Sequence, residues 1–148
     1  MILFRKNLNF LFIVITLLAM TLTLPSCSDD DPGITNIKLC ESIPSGENEC
    51  EDDTDTIAST NPTINISCDL EGVEENDSVN FTLSLDSNGS LTEVSSLNTQ
   101  LDGSGNSGTA FATFTLPANT VWGEGSWEIE IELETEIPVT ATKRFTTI

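Results

Sequence analysis

The chain contains no histidine and no tyrosine, and only five of its 148 residues are lysine or arginine. Without histidine there can be no Ser-His or Cys-His nucleophile pair and no imidazole metal ligand, and the commonest general base is missing. The shortage of cations excludes another class. Nucleic-acid affinity rests on lysine and arginine neutralising phosphates, and here 24 acidic residues stand against those five cations. Two of the five, Arg5 and Lys6, precede every acid, so that from residue 27 onward all the acids are opposed by Lys38, Lys143 and Arg144 alone. Nucleic acid is excluded as a partner. The charge is also compatible with solubility and weak attraction of divalent cations, neither of which identifies a partner; the expectation is a monomer.

Long apolar runs are also scarce. The only one extends from Phe10 to Leu24, interrupted by Thr16, Thr21 and Thr23 and preceded by Arg5 and Lys6. A basic start, a short apolar stretch and a small residue before the cut form the layout of a secretory signal. The alternative, an uncleaved transmembrane anchor, wants about 20 apolar residues. Leu24, Pro25, Ser26 and Cys27 decide between them: the junction resembles the lipobox of bacterial lipoproteins, in which a leucine stands three residues before the cysteine. That resemblance implies a signal peptide over residues 1–26, cleavage after Ser26, and acylation (palmitate or a similar chain) of Cys27, which then holds the protein to the membrane without spanning it. One acyl chain anchors a protein only reversibly, whereas two or more anchor it durably.

Residues 27–33 follow as a polar tether, Ser28-Asp29-Asp30-Asp31 and then Pro32-Gly33. At roughly 3.3 Å per residue it reaches only about 20 Å. The acidic run resembles the export signal behind the lipidated cysteine of Bacteroidetes surface lipoproteins, which implies the outer membrane and a position facing the medium.

From residue 34 to 148 no helical period is found, and period two recurs. Ile64, Ile66, Cys68 and Leu70 alternate with polar residues, as do Val79, Phe81, Leu83 and Leu85, and Trp127, Ile129, Ile131 and Leu133. Each pattern reads as a strand with one buried and one wet face. Weaker strands are expected over Ile34 to Cys40, Leu91 to Leu97, Gly108 to Leu116 and Val139 to Ile148. Asp86-Ser87-Asn88-Gly89 offers the positive φ of a hairpin turn, Asp102 to Gly108 reads as a flexible loop, and Pro117 and Pro138 fall at strand borders. About seven short strands with no space for crossover helices predict an all-β fold, an antiparallel β-sandwich.

The segment Thr63 to Ile148 also resembles the immunoglobulin-like module of many Bacteroidetes lipoproteins of unassigned role. The likeness lies in Leu70-Glu71-Gly72, in Val79 to Leu85, and in Leu116-Pro117 leading through Trp122, Gly123 and Gly125 to Trp127-Glu128-Ile129-Glu130-Ile131 and Lys143-Arg144-Phe145. Where that family usually has tyrosine, this chain has Trp127. These are packing motifs and imply a fold, not an activity.

Three cysteines remain after Cys27, and three pairings are open. Cys68 shares the parity of Ile64, Ile66 and Leu70 and turns inward; Cys40 is opposite in parity to Ile37 and Leu39 and faces outward; Cys50 lies in an acidic loop. We therefore expect Cys40 with Cys50, leaving Cys68 as a buried thiol. Three cysteines lack the fourth ligand of a usual zinc site. Glu51, Asp52, Asp53 and Asp55, and the run from Asp102 to Asn106, do not match the helix-loop-helix calcium pattern; no metal and no cofactor is expected. The Gly103 to Gly108 loop is followed by no helix and reads against phosphate binding. Glu128, Glu130 and Glu132 alternate with isoleucines and should face solvent, unlike the apolar pocket that raises the pKa of a catalytic acid. No enzyme is expected. Asp55-Thr56-Ile57 and Asp77-Ser78-Val79 resemble Bacteroidetes O-glycosylation sites, though plain turn residues would look the same. Trp122, in a turn with Gly123, Glu124 and Gly125, is expected to stay partly open as a ligand contact. The functional expectation is a binding or structural module that meets a surface protein or envelope component, the alternative being glycan capture through that exposed aromatic.

Overall fold

The computed structural model describes residues 31–101 and 107–148. The expected signal segment, Cys27 and the expected tether up to Asp30 lie outside the described residues, as do residues 102–106 of the loop expected from Asp102 to Gly108. Eight strands appear: β1 (Gly33–Cys40), β2 (Thr56–Ile57), β3 (Thr63–Glu71), β4 (Ser78–Ser87), β5 (Ser90–Gln100), β6 (Ser107–Thr115), β7 (Gly125–Glu134) and β8 (Val139–Thr147). All seven strands expected from period two are among them, and β2 is the addition.

The strands form two sheets, one of three strands in the order β1-β3-β6 and one of five in the order β2-β8-β7-β4-β5. Neighbours are antiparallel except β2 with β8. The chain crosses between sheets after β1, β2, β3, β5 and β6 and makes hairpins at β4-β5 and β7-β8, which is the immunoglobulin-like sandwich. The β4-β5 hairpin turns on Asn88 and Gly89, with φ of 58° and 83°, and Gly89 N donates to Asp86 Oδ1 at 2.7 Å. Both central residues have positive φ, the geometry whose twist suits flanking strands.

The core follows directly from alternation. Ile64, Ile66, Cys68 and Leu70 of β3, Val79, Phe81 and Leu83 of β4, and Trp127, Ile129, Ile131 and Leu133 of β7 are all buried between the sheets. Burying one such side chain stabilises the fold by roughly 1.5–3 kcal/mol. In β1, a shift of register between Thr35 and Lys38, with Asn36 at φ 47°, adds one residue. Ile34 and Leu39, which an unbroken strand would turn to opposite faces, both pair with inward residues, Leu70 and Ile66. A bulge is what permits this.

The connectivity also fixes the two ends of the sandwich. Gly33, Glu71, Ser78, Gln100 and Glu134 share one end, where β1 begins. Thr63, Ser87, Gly125 and Thr147 share the other, together with the segments 41–62 and 116–124.

Candidate functional surface

Segment 41–55 links β1 to β2 and carries Cys50 of a disulfide. Cys40 and Cys50 are bonded, with Cα atoms 5.7 Å apart, and Cys68 is free and buried. The pairing is the one expected. Cys40 pairs in register with Asn65, which turns away from the inter-sheet core, so the outward parity also holds. Outward does not mean wet here. The segment folds back over the outer face of the three-stranded sheet, and Cys50 N donates to Ser67 Oγ at 3.0 Å. Cys40, Cys50, Asn65 and Ser67 are consequently buried in a second, smaller packed region. Asn65 spends its groups there: its Nδ2 donates to Cys40 O, and its Oδ1 accepts from Thr113 Oγ1 at 2.8 Å.

The same segment ties the sheets together at their edge. Leu39 N of β1 donates to Asp53 Oδ1 at 2.9 Å, and Lys143 Nζ of β8 donates to Asp53 Oδ2 at 2.8 Å. Asp55 adds a second carboxylate 2.9 Å from the ammonium. Partial burial pushes the Asp53 pKa up, but the hydrogen bonds from Lys143 and Leu39 overcome it and hold the carboxyl below its ordinary value. Burial likewise pulls Lys143 down, and the bonds to Asp53 and Asp55 outweigh it, leaving the ammonium above the usual lysine value. Lys38 pairs with Glu49 at 2.6 Å and Arg144 with Glu128 at 2.6 Å. Every lysine and arginine after residue 27 is therefore engaged with a carboxylate.

Beside the disulfide lies a cleft of about 350 Å³, with Leu39, Cys40 and Pro44 as its apolar part and Glu41, Glu51 and Asp52 on its rim. Among the described residues, no group of three or more cysteine, aspartate or glutamate side chains is arranged to hold a metal ion.

Two sequence expectations are corrected. Trp122 is only 4% exposed. Its backbone N donates to Ser59 O at 3.0 Å and its Nε1 to Asn61 O at 2.8 Å, so both polar groups are satisfied inside the fold. Its ring stands edge-on to Trp127, centroids 5.8 Å apart. The flexible turn bends the ring inward instead of leaving it in solvent, and Trp122 offers no face on which a sugar could stack. Glu128 is the second correction. It does lie on the outer face with Glu130 and Glu132, yet it is 7% exposed, because Arg144 Nε caps its carboxylate.

Of the two O-glycosylation-like positions, Thr56 is exposed at the start of β2, while the Ser78 hydroxyl is bonded to the Glu134 carboxylate. The feature that sequence reasoning missed is Phe111. It is 39% exposed on the outer face of β6 and is the one aromatic ring among the described residues that is open to solvent. Parity carried the signal: with Ala110, Ala112 and Phe114 inward, Phe111 must stand outward among Thr109, Thr113 and Thr115. Neither a protein-family model nor a curated protein matches the sequence.

Proposed function

We propose that this chain is a lipid-anchored, non-catalytic module of the outer membrane, facing the medium, whose sandwich meets another protein or a component of the envelope. The observation that carries the reading is Leu24-Pro25-Ser26-Cys27 directly after the apolar run, with β1 beginning only six residues beyond the cysteine. A tether this short keeps the Gly33 end of the sandwich on the membrane. The opposite end, with the disulfide segment, the cleft and Val121, then projects outward. Protein contact is favoured over glycan capture because Trp122 is buried, and sugar platforms generally use more than the single ring that Phe111 provides.

The test replaces Cys27 with serine in the full chain. Detergent partitioning and intact mass should show an unprocessed or released protein without acyl chains; a variant that still matures and still sediments with membranes overturns the anchor. Binding to any polysaccharide at sub-millimolar concentration on a glycan array overturns the preference for a protein partner.

A further inference from the structure

Charged residues make up 20% of the chain, yet Thr56 to Ser67 and Ser107 to Gly123 contain no ionisable side chain. The fold brings parts of both stretches together at the end of the sandwich opposite Gly33. Ser59 N donates to Ile148 O at 2.7 Å, Ser59 O accepts from Trp122 N at 3.0 Å, and Leu116 N donates to Pro62 O at 3.0 Å. Segments 58–62 and 116–123 thus join with Ile148 in one continuous cap. Thr60, Pro62, Pro117 and Ala118 are exposed on it, and Val121 and Ile148 are 63% and 71% exposed. The border of the cap is negative. Glu41 stands on it, its main-chain O accepting from Asn61 Nδ2 and Thr63 Oγ1 and its carboxylate from Ala58 N, and Glu124 follows directly after Gly123. Both glutamates are exposed. Lys38, Lys143 and Arg144 are engaged with other carboxylates.

A centre without charge inside a polar border is the composition of a protein–protein contact. We propose that this cap docks a partner protein arriving from the side away from the membrane, whose contact face is apolar at its centre and bears lysine or arginine where it meets Glu41 and Glu124. The inference rests on the anchored orientation proposed above. With β1 beginning six residues beyond Cys27, the bilayer lies at the wrong end of the sandwich to cover the cap. A second copy on the same membrane presents its cap in the same direction, so two caps cannot meet. Complementarity of charge then sets the border of the partner's face, and the exposed apolar side chains set its centre.

The test uses the chain from Ser28 onward, which carries all eight strands and the Cys40–Cys50 bond and needs no detergent. The probe is a synthetic amphipathic helix with leucine along one face and lysine along the other, and oligolysine of equal charge is its control. In isotope-labelled protein the amphipathic peptide should shift the amide resonances of residues 58–62 and 116–124. V121D should weaken its binding by about tenfold or more, the loss expected from the centre of a contact. Because V121D makes the surface more negative, purely electrostatic binding would strengthen, and a loss reports the apolar centre. E124K should also weaken binding. L91D on β5 and I137D at the Gly33 end should leave it unchanged, and all four variants should keep the unfolding midpoint of the unmodified chain. Equal affinity for oligolysine, shifts spread over the whole surface, or undiminished binding to V121D overturns the proposal. The assay contains no membrane, so its failure is distinguishable from that of the Cys27→Ser experiment: no docking by a protein whose anchor is intact removes the cap, whereas docking at the cap despite a failed anchor keeps the surface and removes its orientation.

Discussion

The indoles of Trp122 and Trp127 meet edge to face, with centroids 5.8 Å apart and planes inclined at 85°, although one residue lies in a loop and the other in a central strand. Phe145 continues the group by stacking on Trp127 at 6.4 Å. Trp127 Nε1 lies 3.0 Å from both Gly123 O and Thr147 Oγ1. The β6-β7 loop is thereby fastened to the start of β7 and the end of β8.

Truncating either tryptophan should accordingly be costly. Trp122→Ala and Trp127→Ala are each expected to lose about 3–5 kcal/mol, a large share of the 5–15 kcal/mol typical of a domain. Urea melts followed by far-ultraviolet circular dichroism would measure both. A small loss for Trp122→Ala alone would mean that the loop can move away while the sandwich stays closed.

Removing the disulfide with the paired change Cys40→Ser and Cys50→Ser should cost roughly 2 to 3 kcal/mol on chain-entropy grounds. Proteolysis should then cut first within segment 41–55, since Cys50 no longer draws it over Ser67. Peptide mapping of a limited digest, with and without the change, gives the comparison.

Acid should weaken the clasp at the sheet edge. Asp53 has its pKa lowered in the folded protein, so its stabilisation is complete above the ordinary carboxylate pKa of about 3.9 and is lost as pH falls through the depressed folded value. Asp53→Asn should cost about 1 kcal/mol or less at neutral pH, because the pair is partly exposed. It should also flatten the loss of stability between about pH 5 and pH 3. Urea midpoints for both proteins across that range are the measurement.

The Cys68 thiol, pushed up to about 12 by burial and further by the neighbouring Asp69, should resist alkylation in the native protein and react only after unfolding. Because the unfolded thiol ionises near 8.5, its contribution is intact below that pH and declines as pH rises toward the folded value. Timed labelling with iodoacetamide, read by mass, tests the first statement; fast labelling at neutral pH without denaturant would contradict it.

Much of this architecture was legible because burial in a sandwich imposes period two on each strand. Ile64 to Leu70, Val79 to Leu85 and Trp127 to Leu133 disclosed their inner faces, and the same parity separated Cys68 from Cys40. What escaped are features set by distant segments. Nothing near Cys40 in the sequence says that residues 41–55 return to cover the outer face of β3, and nothing near Glu128 says that Arg144 of β8 stands opposite it. Trp122 was misjudged because loop composition describes local flexibility, whereas the ring's position is decided by Ser59, Asn61 and Trp127. Phe111 was within reach of parity, but its meaning depends on β6 being an edge, and strand order is a property of the assembled sheets.

The short parallel pair of β2 with β8 has a mechanical consequence. Thr146 N donates to Asp55 O at 2.9 Å, Ile148 N to Ile57 O at 3.2 Å and Ser59 N to Ile148 O at 2.7 Å. Gly33 and Ile148 lie at opposite ends of the sandwich, so a pull that draws them apart along the strands loads these three bonds in shear. They must yield together instead of opening one after another, as in a peeled hairpin. Tension between residues 33 and 148 is thus shared by the seam between β2 and β8 and the longer β7-β8 ladder, both loaded in shear.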